Sequence, residues 1–390
     1  MIIEWLQLLD FLSGKVHFLI LFCLTSLIFY LGISLKARQH HPFTGNFTSA
    51  TTTIIPVYHE DPTLFRSVLE AIRPQTTQLI VVIDDANQRL RLIAEKYADM
   101  LFVNEKRQGK KRSISKVLNY ALHPITILLD SDTIVEKNAV EEIIKPFQNS
   151  KIAIVQGQPR INNKNPGNFL AKKLSELTER SRDVICSALD PYLIVVDGRF
   201  QAVRTAILKK INQEWLNDVW FNKPSEIGED RCRTRIIYKL GYKAAYQPTG
   251  VCYTVAPLTL QGFLKQQLRW FRSGYKFFLK DILERNFPSK TYLVQSLFFY
   301  LSPIVFTLVM LGDYLITPPL PYHLPLVIAP LIIVIGTGLI TLLKQGLYFG
   351  FRDVEYRYIL LYGIVGLLLL YPLMLYALCT NKNQESWITR

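Results

Sequence analysis

The chain has 390 residues, of which 49% are apolar and 19% are charged, and its formal net charge is +14 at pH 7. This length accommodates one globular domain together with several membrane helices. Five cysteines without a C-x-x-C pair argue against a disulfide-rich secreted scaffold and favour a reducing compartment. The positive charge suits an anionic nucleotide or the cytoplasmic membrane surface. No nucleic-acid partner is expected, because no recognisable nucleic-acid module is present.

Four apolar segments, at the two ends of the chain, are long enough to cross a bilayer. They are residues 16–35, 291–316, 324–343 and 358–379, and ~30 Å of hydrocarbon requires about 20 apolar residues in a helix. Residues 1–15 are too short to span and are expected to lie in the membrane interface. A buried core helix is the alternative for any one segment, and a cleaved signal peptide is a further alternative for the first.

The distribution of Lys and Arg predicts the orientation of these segments. Lys36, Arg38 and Lys344 flank predicted spans, and the positive-inside rule places such residues in the cytoplasm. The Pro-rich loop 317–325 carries neither Lys nor Arg and would lie outside. We therefore expect an integral plasma-membrane protein that contacts lipid and whose middle domain, 50–257, is cytoplasmic.

The middle domain alternates short β-rich runs with helical ones. The predicted strands and helices, in chain order, are strands 51–57, 79–84, 100–103, 125–130 and 152–156, and helices 63–72, 86–97, 110–121 and 136–147. Continuous apolar strands alternating with helices predict an α/β fold, a mostly parallel sheet with helices on both faces. Ligands bind such sheets at the carboxyl ends of the strands.

Acidic residues follow two of the predicted strands. Asp130 and Asp132 form a D-x-D pair whose carboxylates point the same way while the strand geometry lasts. Such a pair suits Mg²⁺ or Mn²⁺ bridging a nucleotide diphosphate, and a solvated turn or helix cap is the alternative. Asp84 could accept hydrogen bonds from a base or a ribose, or could mark a turn.

A basic segment opens the predicted helix 110–121. Gly109 lets a backbone approach a ligand closely, and the helix amino terminus, together with Lys110 and Lys111, favours an anion. Cations are unfavourable at this end of the helix dipole, so a bound anion would compensate for them. A solvated basic helix start is the alternative.

Glu229 and Asp230 precede a helix predicted at 231–240. Asp230 could cap that helix, or it could be the general base that deprotonates an acceptor hydroxyl. The residues alone leave both interpretations open.

Segment 258–282 is predicted to be an amphipathic helix in the membrane interface. Gln266, Arg269 and Trp270 stand at i, i+3 and i+4 and therefore share one face of it. Arg269 could neutralise a leaving diphosphate, Gln266 could donate a hydrogen bond to it, and Trp270 could stack on a sugar. A helix that only anchors the domain is the alternative.

Four motifs occur in a family-specific order: Asp84-Asp85, Asp130-Ser131-Asp132, Gly228-Glu229-Asp230-Arg231 and Gln266-Gln267-Leu268-Arg269-Trp270. In this order they resemble the membrane-embedded, processive, inverting polysaccharide synthases of glycosyltransferase family 2, which include cellulose, chitin and hyaluronan synthases. The wording of the last two motifs most resembles hyaluronan synthases. The match covers roughly residues 50 to 280.

The resemblance implies a GT-A fold, UDP-sugar donors, of which UDP-GlcNAc and UDP-GlcA are expected, and a growing β-linked polysaccharide that is exported. It implies that Asp132 and Asp130 hold Mg²⁺ or Mn²⁺ and that Asp230, with Glu229, is catalytic. The residues that would bind UDP are Pro56, Tyr58, Glu60, Asp84, Lys110, Lys111, Asp130, Gln266 and Arg269. Those that would bind the acceptor are Asp197, Gly198, Arg199, Arg204 and Trp270.

Two features depart from the hyaluronan-synthase pattern. Asp197-Gly198-Arg199-Phe200 stands where a Gly-Pro pair is expected, and one apolar segment rather than two precedes the domain. An enzyme that transfers a single sugar to a lipid, like ceramide glucosyltransferases, is the alternative, although those enzymes lack the Gly-Glu-Asp-Arg wording. A non-catalytic membrane scaffold is the third hypothesis, and the intact acidic motifs argue against it. An oligomer is compatible with the sequence.

Overall fold

The computed structural model describes residues 21–85, 87–162, 167–316, 324–353 and 356–382. The predicted interfacial segment 1–15 and the start of the predicted span 16–35 lie outside the described residues. The same holds for residues 317–323 of the predicted outer loop.

Strands and helices alternate through the middle of the chain, as the apolar pattern predicts. The strands are β1 (Thr51–Val57), β2 (Gln78–Ile83), β3 (Met100–Val103), β4 (Ile125–Leu129), β5 (Ile134–Val135), β6 (Ile152–Ile161), β7 (Phe200–Arg204), β8 (Val219–Trp220), β9 (Lys223–Pro224) and β10 (Lys243–Thr254). The helices of this part are α2 (Pro62–Ile72), α3 (Gln88–Ala94), α4 (Lys110–Val117), α5 (Ala139–Ile144), α6 (Phe169–Leu189), α7 (Thr205–Leu216) and α8 (Glu229–Lys239).

An eight-stranded sheet, in the order β3-β2-β1-β4-β7-β6-β10-β5, forms the centre of the described residues. The pairs from β3 to β4 and the pair β6–β10 are parallel. Strand β7 runs antiparallel to both β4 and β6. The predicted α/β fold is confirmed, and the sheet is mixed because β7 inserts in the opposite direction between two parallel groups and the short β5 pairs antiparallel with β10.

Side-chain alternation along the strands produces one apolar core on each face of the sheet. On β1, Ile55 packs in a cluster with the helices α2, α3 and α5, whereas its neighbour Ile54 packs in a second cluster with α4, α7 and α8. Successive strand residues point to opposite faces, so a continuous apolar strand is buried on both sides. This burial fixes the strand ends and therefore the loops that follow them.

Apolar helices flank the α/β domain on both sides in the chain. They are α1 (Leu21–Arg38), α10 (Lys290–Ile316), α11 (Leu324–Phe349), α12 (Tyr356–Val365) and α13 (Tyr371–Cys379), preceded by the amphipathic α9 (Leu260–Glu284). Among the described residues, Leu21–Arg38 and Lys290–Val309 are long and apolar enough to cross a membrane, a property they share with buried core helices and signal sequences. Val334–Phe349 and Gly363–Cys379 are shorter apolar helices.

Helix α9 joins the α/β domain to the apolar helices. One buried cluster contains Leu174 of α6, Phe263 and Tyr275 of α9, Tyr300 of α10 and Met374 of α13. The helix predicted at 258–282 is thus a packed element of the core as well as an amphipathic one.

Candidate active site

One cavity of about 710 Å³ lies at the carboxyl ends of β1, β2 and β4 and reaches the faces of α6, α8 and α9. All but two of the predicted site residues line it, although they come from widely separated parts of the chain. These residues are Pro56, Tyr58, Glu60, Asp84, Lys110, Asp130, Asp132, Asp197, Gly198, Arg199, Glu229, Asp230, Gln266, Arg269 and Trp270. The fold therefore brings together the acidic, basic and aromatic groups of the separate motifs.

The loop before α4 is organised by Asp84, which is 3% exposed. The backbone N–H groups of Gln108 and Gly109 donate to its two carboxylate oxygens at 2.8 and 2.7 Å, and Asn104 Nδ2 donates at 2.9 Å. Gly109 has φ of +90°, a conformation that a side chain disfavours. The carboxylate at the end of β2 therefore holds the amino terminus of α4 against the cavity.

Lys110 sits between two carboxylates. Its Nζ lies 2.5 Å from Asp130 Oδ1 and 3.3 Å from Glu229 Oε1. Burial opposes its charge, but the attraction of Asp130 and Glu229 is stronger and raises the pKa of Lys110 above its ordinary value. A fixed ammonium group thus stands inside the cavity, next to the D-x-D pair.

Lys111 and Arg204 are the two predicted site residues that lie elsewhere. Lys111 is buried, and its Nζ donates to Ser225 O at 3.3 Å. Arg204, the last residue of β7, donates to Ile152 O and Phe147 O, both at 2.8 Å, near the opposite edge of the sheet. The structure therefore does not place Lys111 or Arg204 on the cavity wall with the other predicted site residues.

The first loop after β1 contributes an aromatic surface and a link to the D-x-D motif. Arg107 Cζ lies 4.4 Å from the centre of the Tyr58 ring, within cation–π range. Glu60 Oε2 accepts a hydrogen bond of 3.1 Å from Ser131 Oγ, the residue between the two aspartates. This contact ties the loop to the exit of β4.

The acidic pair at the start of α8 is presented by a glycine. Gly228 is the N-cap, with φ of +76°, and a Cβ there would lie 2.0 Å from Ser273 Oγ of α9. Only glycine lets α8 approach α9 so closely. Helix α8 begins at Glu229, so Asp230 is inside the first turn and the interpretation of Asp230 as the N-cap is wrong.

The environment of Asp230 makes its carboxylate more basic than usual. Burial, together with the negative charges of Glu229 and Asp197, raises the pKa of Asp230. For Glu229 burial acts in the same direction, but the nearby Lys110 and Arg233 outweigh it and lower its pKa. The pKa values of the two adjacent carboxyl groups are therefore shifted in opposite directions, a common arrangement in acid–base sites.

Asp130 and Asp132 fit a divalent metal that also binds substrate oxygens. Both are hard oxygen donors on the cavity wall, and Mg²⁺ is commonly held by one or two carboxylates plus substrate phosphates. Among the described residues no group of three or more His, Cys, Asp or Glu side chains could hold a metal. The donor set thus suits a metal that arrives with a phosphate-bearing substrate better than a metal caged by protein.

Comparison with known families shows which family has this arrangement of residues. The family model described as "Glycosyltransferase like family 2" matches residues 49–273, which include every residue that the α/β domain contributes to the cavity. The chain belongs to glycosyltransferase family 2. It is therefore a glycosyltransferase, and the strand-end acidic residues belong to the family domain.

Individual relatives agree with this assignment. The chain is 27% identical to a hyaluronan synthase of Streptococcus pyogenes serotype M3, with 94% of this chain and 89% of the relative covered. It is 25% identical to an N-acetylglucosaminyltransferase of Rhizobium leguminosarum bv. viciae, with 88% and 82% covered. A mannosyltransferase structure from Pyrobaculum calidifontis, in complex with GDP-Man and Mn²⁺, has a TM-score of 0.62 at 16% identity and covers 96% of this chain and 100% of that chain. This likeness confirms the predicted GT-A fold.

The family domain also contains cavity residues that sequence reasoning missed, and they lie on α6. Arg182 pairs with Asp197 at 2.5 Å, and its Cζ lies 5.7 Å from the centre of the Trp270 ring. Glu179, also on α6, accepts a hydrogen bond of 2.7 Å from Arg199, which in turn donates to Asp197 at 2.6 Å. Glu179, Arg182 and Asp183 stand at i, i+3 and i+4 of α6 and share one helical face, and that spacing is the signal that the sequence offers.

Proposed function

We propose that this protein is a membrane-embedded polysaccharide synthase that extends a β-linked chain from UDP-sugars. The observation that supports this most is the meeting of Asp130, Asp132, Lys110, Asp230 and Trp270 in one cavity. The similarity to a hyaluronan synthase over 94% of the chain favours a polymer over a single transfer to lipid. UDP-GlcNAc and UDP-GlcA are the donors to test first.

The donor nucleotide would lie over the carboxyl edge of the sheet. Tyr58, backed by Arg107, offers an aromatic surface for the base, and Pro56, Glu60 and Asp84 surround it. Lys110 and, from α9, Arg269 and Gln266 supply positive charge and hydrogen-bond donors for the diphosphate. Asp130 and Asp132 would hold Mg²⁺ or Mn²⁺, which neutralises charge on the departing diphosphate when bound.

The reaction we propose is a single displacement with inversion. The oxygen of the acceptor hydroxyl attacks the anomeric carbon from the face opposite UDP, and its proton passes to the Asp230 carboxylate. The bond from the anomeric carbon to the phosphate oxygen breaks, and its electron pair leaves with UDP. Lys110 and Arg269 stabilise the negative charge that develops there. An α-linked donor then gives a β-linked product.

The acceptor sugar would stack on Trp270. Arg182 lies beside this ring and also pairs with Asp197. It therefore links Trp270 to the segment 197–199. Asp197 and Arg199 are bonded to each other, so we assign them to positioning the Gly198 backbone beside the acceptor. In the same cavity the faces of α1, α10 and α11 would receive the growing chain.

The test is product analysis with the purified full-length chain in lipid nanodiscs. With both UDP-sugars and Mg²⁺ or Mn²⁺ we expect UDP release and a product that migrates as a polymer and is cut by a hyaluronan lyase. Asp230→Asn should lower the rate by about 10²–10⁴-fold, whereas the exposed Glu214→Gln should not change it. A lipid bearing one sugar would replace the polymerase proposal by the glycolipid alternative, and no UDP release from any donor would contradict both.

A further inference from the structure

The cavity continues beyond the transferase site to the apolar helices. There its wall is made by helices that we propose to span the membrane, yet several lining side chains are polar. They are Ser26 and Tyr30 of α1, Gln295 of α10, and Thr337, Thr341 and Lys344 of α11. Polar residues at such positions are costly in a membrane and mark a ligand path more often than a structural need.

Lys344 carries the only side-chain cation among these six lining residues. It is 8% exposed, and its Nζ lies 5.1 Å from the centre of the Tyr30 ring. No carboxylate of the described residues forms an ion pair with it within 4.0 Å. Lysines near helix ends usually extend to the membrane surface; this one faces the cavity.

Gln295 provides an independent sign of a missing ligand. It is 1% exposed, it lines the same cavity, and neither its Nε2 nor its Oε1 has a hydrogen-bond partner. A buried amide without partners costs about 1–3 kcal/mol, so native structures rarely retain one. A ligand with hydroxyl groups could both donate to Oε1 and accept from Nε2.

A buried ammonium without a counter-ion is unfavourable unless an anion joins it. Here that anion must share a cavity with an unsatisfied amide and with two aromatic rings, Tyr30 and, further along the wall, Trp270. Hydroxyl groups, ring faces and a negative charge are combined in an acidic sugar. A lipid phosphate would satisfy Lys344 but would bring no hydroxyl-rich ring to Gln295.

We propose that Lys344 binds the carboxylate of an acidic sugar residue of the acceptor chain, with Gln295 bonding to its hydroxyl groups. The two residues come from α10 and α11, whereas the donor-binding residues come from the α/β domain and α9. This site would hold a sugar added in an earlier cycle, so that an acidic unit is recognised after transfer as well as at the donor site. This inference rests on the proposed function, because it assumes a sugar acceptor.

The test measures binding without turnover. Fluorescent oligosaccharides of equal length are titrated into the detergent-purified full chain: one contains alternating acidic sugars, one is the same compound with its carboxyl groups methyl-esterified, and one is a neutral N-acetylglucosamine oligomer. The acidic compound should bind most tightly. Lys344→Met, which keeps the side-chain volume but removes the charge, should weaken that binding by about tenfold and leave the other two unchanged.

Two variants control for folding and for charge. Lys344→Arg keeps a cation and should retain most of the preference for the acidic compound. Lys265→Met removes a cation from an exposed position of α9 and should leave all three affinities unchanged. Gln295→Leu should weaken the acidic and the neutral compounds alike, since it removes hydrogen bonds to hydroxyl groups.

The result that overturns the proposal is an equal affinity of the native chain for the acidic and esterified compounds, or an unchanged affinity in Lys344→Met. The proposal is also overturned if Lys344→Met no longer binds vesicles containing polyprenyl phosphate but keeps the native affinity for the acidic oligosaccharide. That result would assign Lys344 to a lipid phosphate. UDP release by the same preparation separates the two claims. Native chain that releases no UDP contradicts the proposed function, whereas normal release with no Lys344 effect contradicts this inference alone.

Discussion

At Asp230 two opposing influences act on one carboxyl group. Burial and the charges of Glu229 and Asp197 raise its pKa, while Lys110 and the Arg231 N–H, which donates at 2.7 Å, lower it. The net effect is a raised pKa. A base whose pKa is closer to the working pH accepts a proton more readily in the transition state.

This balance predicts a specific pH dependence for Glu229→Gln. Because Asp230 must be deprotonated to act, activity falls as the pH drops through its pKa. Removing the Glu229 charge lowers that pKa, so the acidic limb of the kcat/KM profile should move to lower pH, whatever the change in its height. An acidic limb that stays in place, or moves as much in Glu214→Gln, would mean that Glu229 does not act on the base.

The D-x-D pair gives a second prediction at the residue scale. If Asp132 holds the metal, Asp132→Asn should raise the Mn²⁺ concentration that gives half-maximal UDP release by at least about tenfold. Excess Mn²⁺ should then recover part of the rate, because the substrate phosphates and Asp130 still bind the ion. Glu141→Gln, an exposed change on α5, serves as the control. An unchanged Mn²⁺ requirement would exclude Asp132 as a ligand.

Among the elements, α8 is held to the apolar helices through Arg231. Its guanidinium Nη1 donates to Gly274 O of α9 at 3.0 Å and to Tyr300 Oη of α10 at 2.5 Å, and Nη2 lies 3.4 Å from Asp281 Oδ2. Since α8 begins with Glu229 and Asp230, this network fixes the acidic pair relative to the helices that we propose to lie in the membrane.

Arg231→Met should therefore lower both stability and activity. It removes one partner of a buried ionic network, a change that costs about 3 kcal/mol, although Arg235 still neutralises Asp281 at 2.5 Å. Tyr300→Phe removes one hydroxyl and should cost about 1 kcal/mol. Thermal unfolding in detergent should rank the native chain, Tyr300→Phe and Arg231→Met in decreasing Tm. The opposite order of the two variants would contradict the proposed coupling.

The elements also show what the sequence can predict. The apolar runs predicted β1 to β4 within a residue or two, and with them the positions of Asp84 and Asp130. Strands β1, β2 and β4 are buried on both faces, and such a strand is a continuous apolar run in the sequence. The direction of β7 depends on which distant strands it meets, and no local pattern records that. Since β7 runs antiparallel to β4, each residue after Phe200 lies farther from the carboxyl edge, and Arg204 ends about 13 Å away.

The positions of Lys111 and Arg182 were not predicted for the same reason. Lys110 and Lys111 are adjacent in sequence, but consecutive helical residues point about 100° apart, so only one can face the cavity. Arg182 belongs to a helix of 21 residues. Its place in the cavity follows from its contact with Trp270 of α9, and the sequence of the helix alone does not predict that contact. Contacts between separate elements, rather than the elements themselves, are what the sequence leaves undetermined.

At the scale of the whole molecule, one cavity is shared by the α/β domain and the apolar helices. A sugar added at Asp230 could therefore move toward Lys344 without leaving the protein. This arrangement couples synthesis to export only if the α/β domain lies on the cytoplasmic side, where nucleotide sugars are available. The orientation is thus the property on which the proposed direction of transport depends.

Cysteine labelling tests that orientation. Three native cysteines are buried, whereas Cys23 and Cys379 are not, so the starting chain carries Cys23→Ser and Cys379→Ser. The probe is a membrane-impermeant maleimide. Glu214→Cys, on the exposed side of α7, should react with it in inside-out vesicles but not in intact cells. Tyr322→Cys, in the predicted outer loop, should react only in intact cells. Labelling of both positions from the same side would contradict both the predicted topology and a path for the polymer that leads out of the cytoplasm.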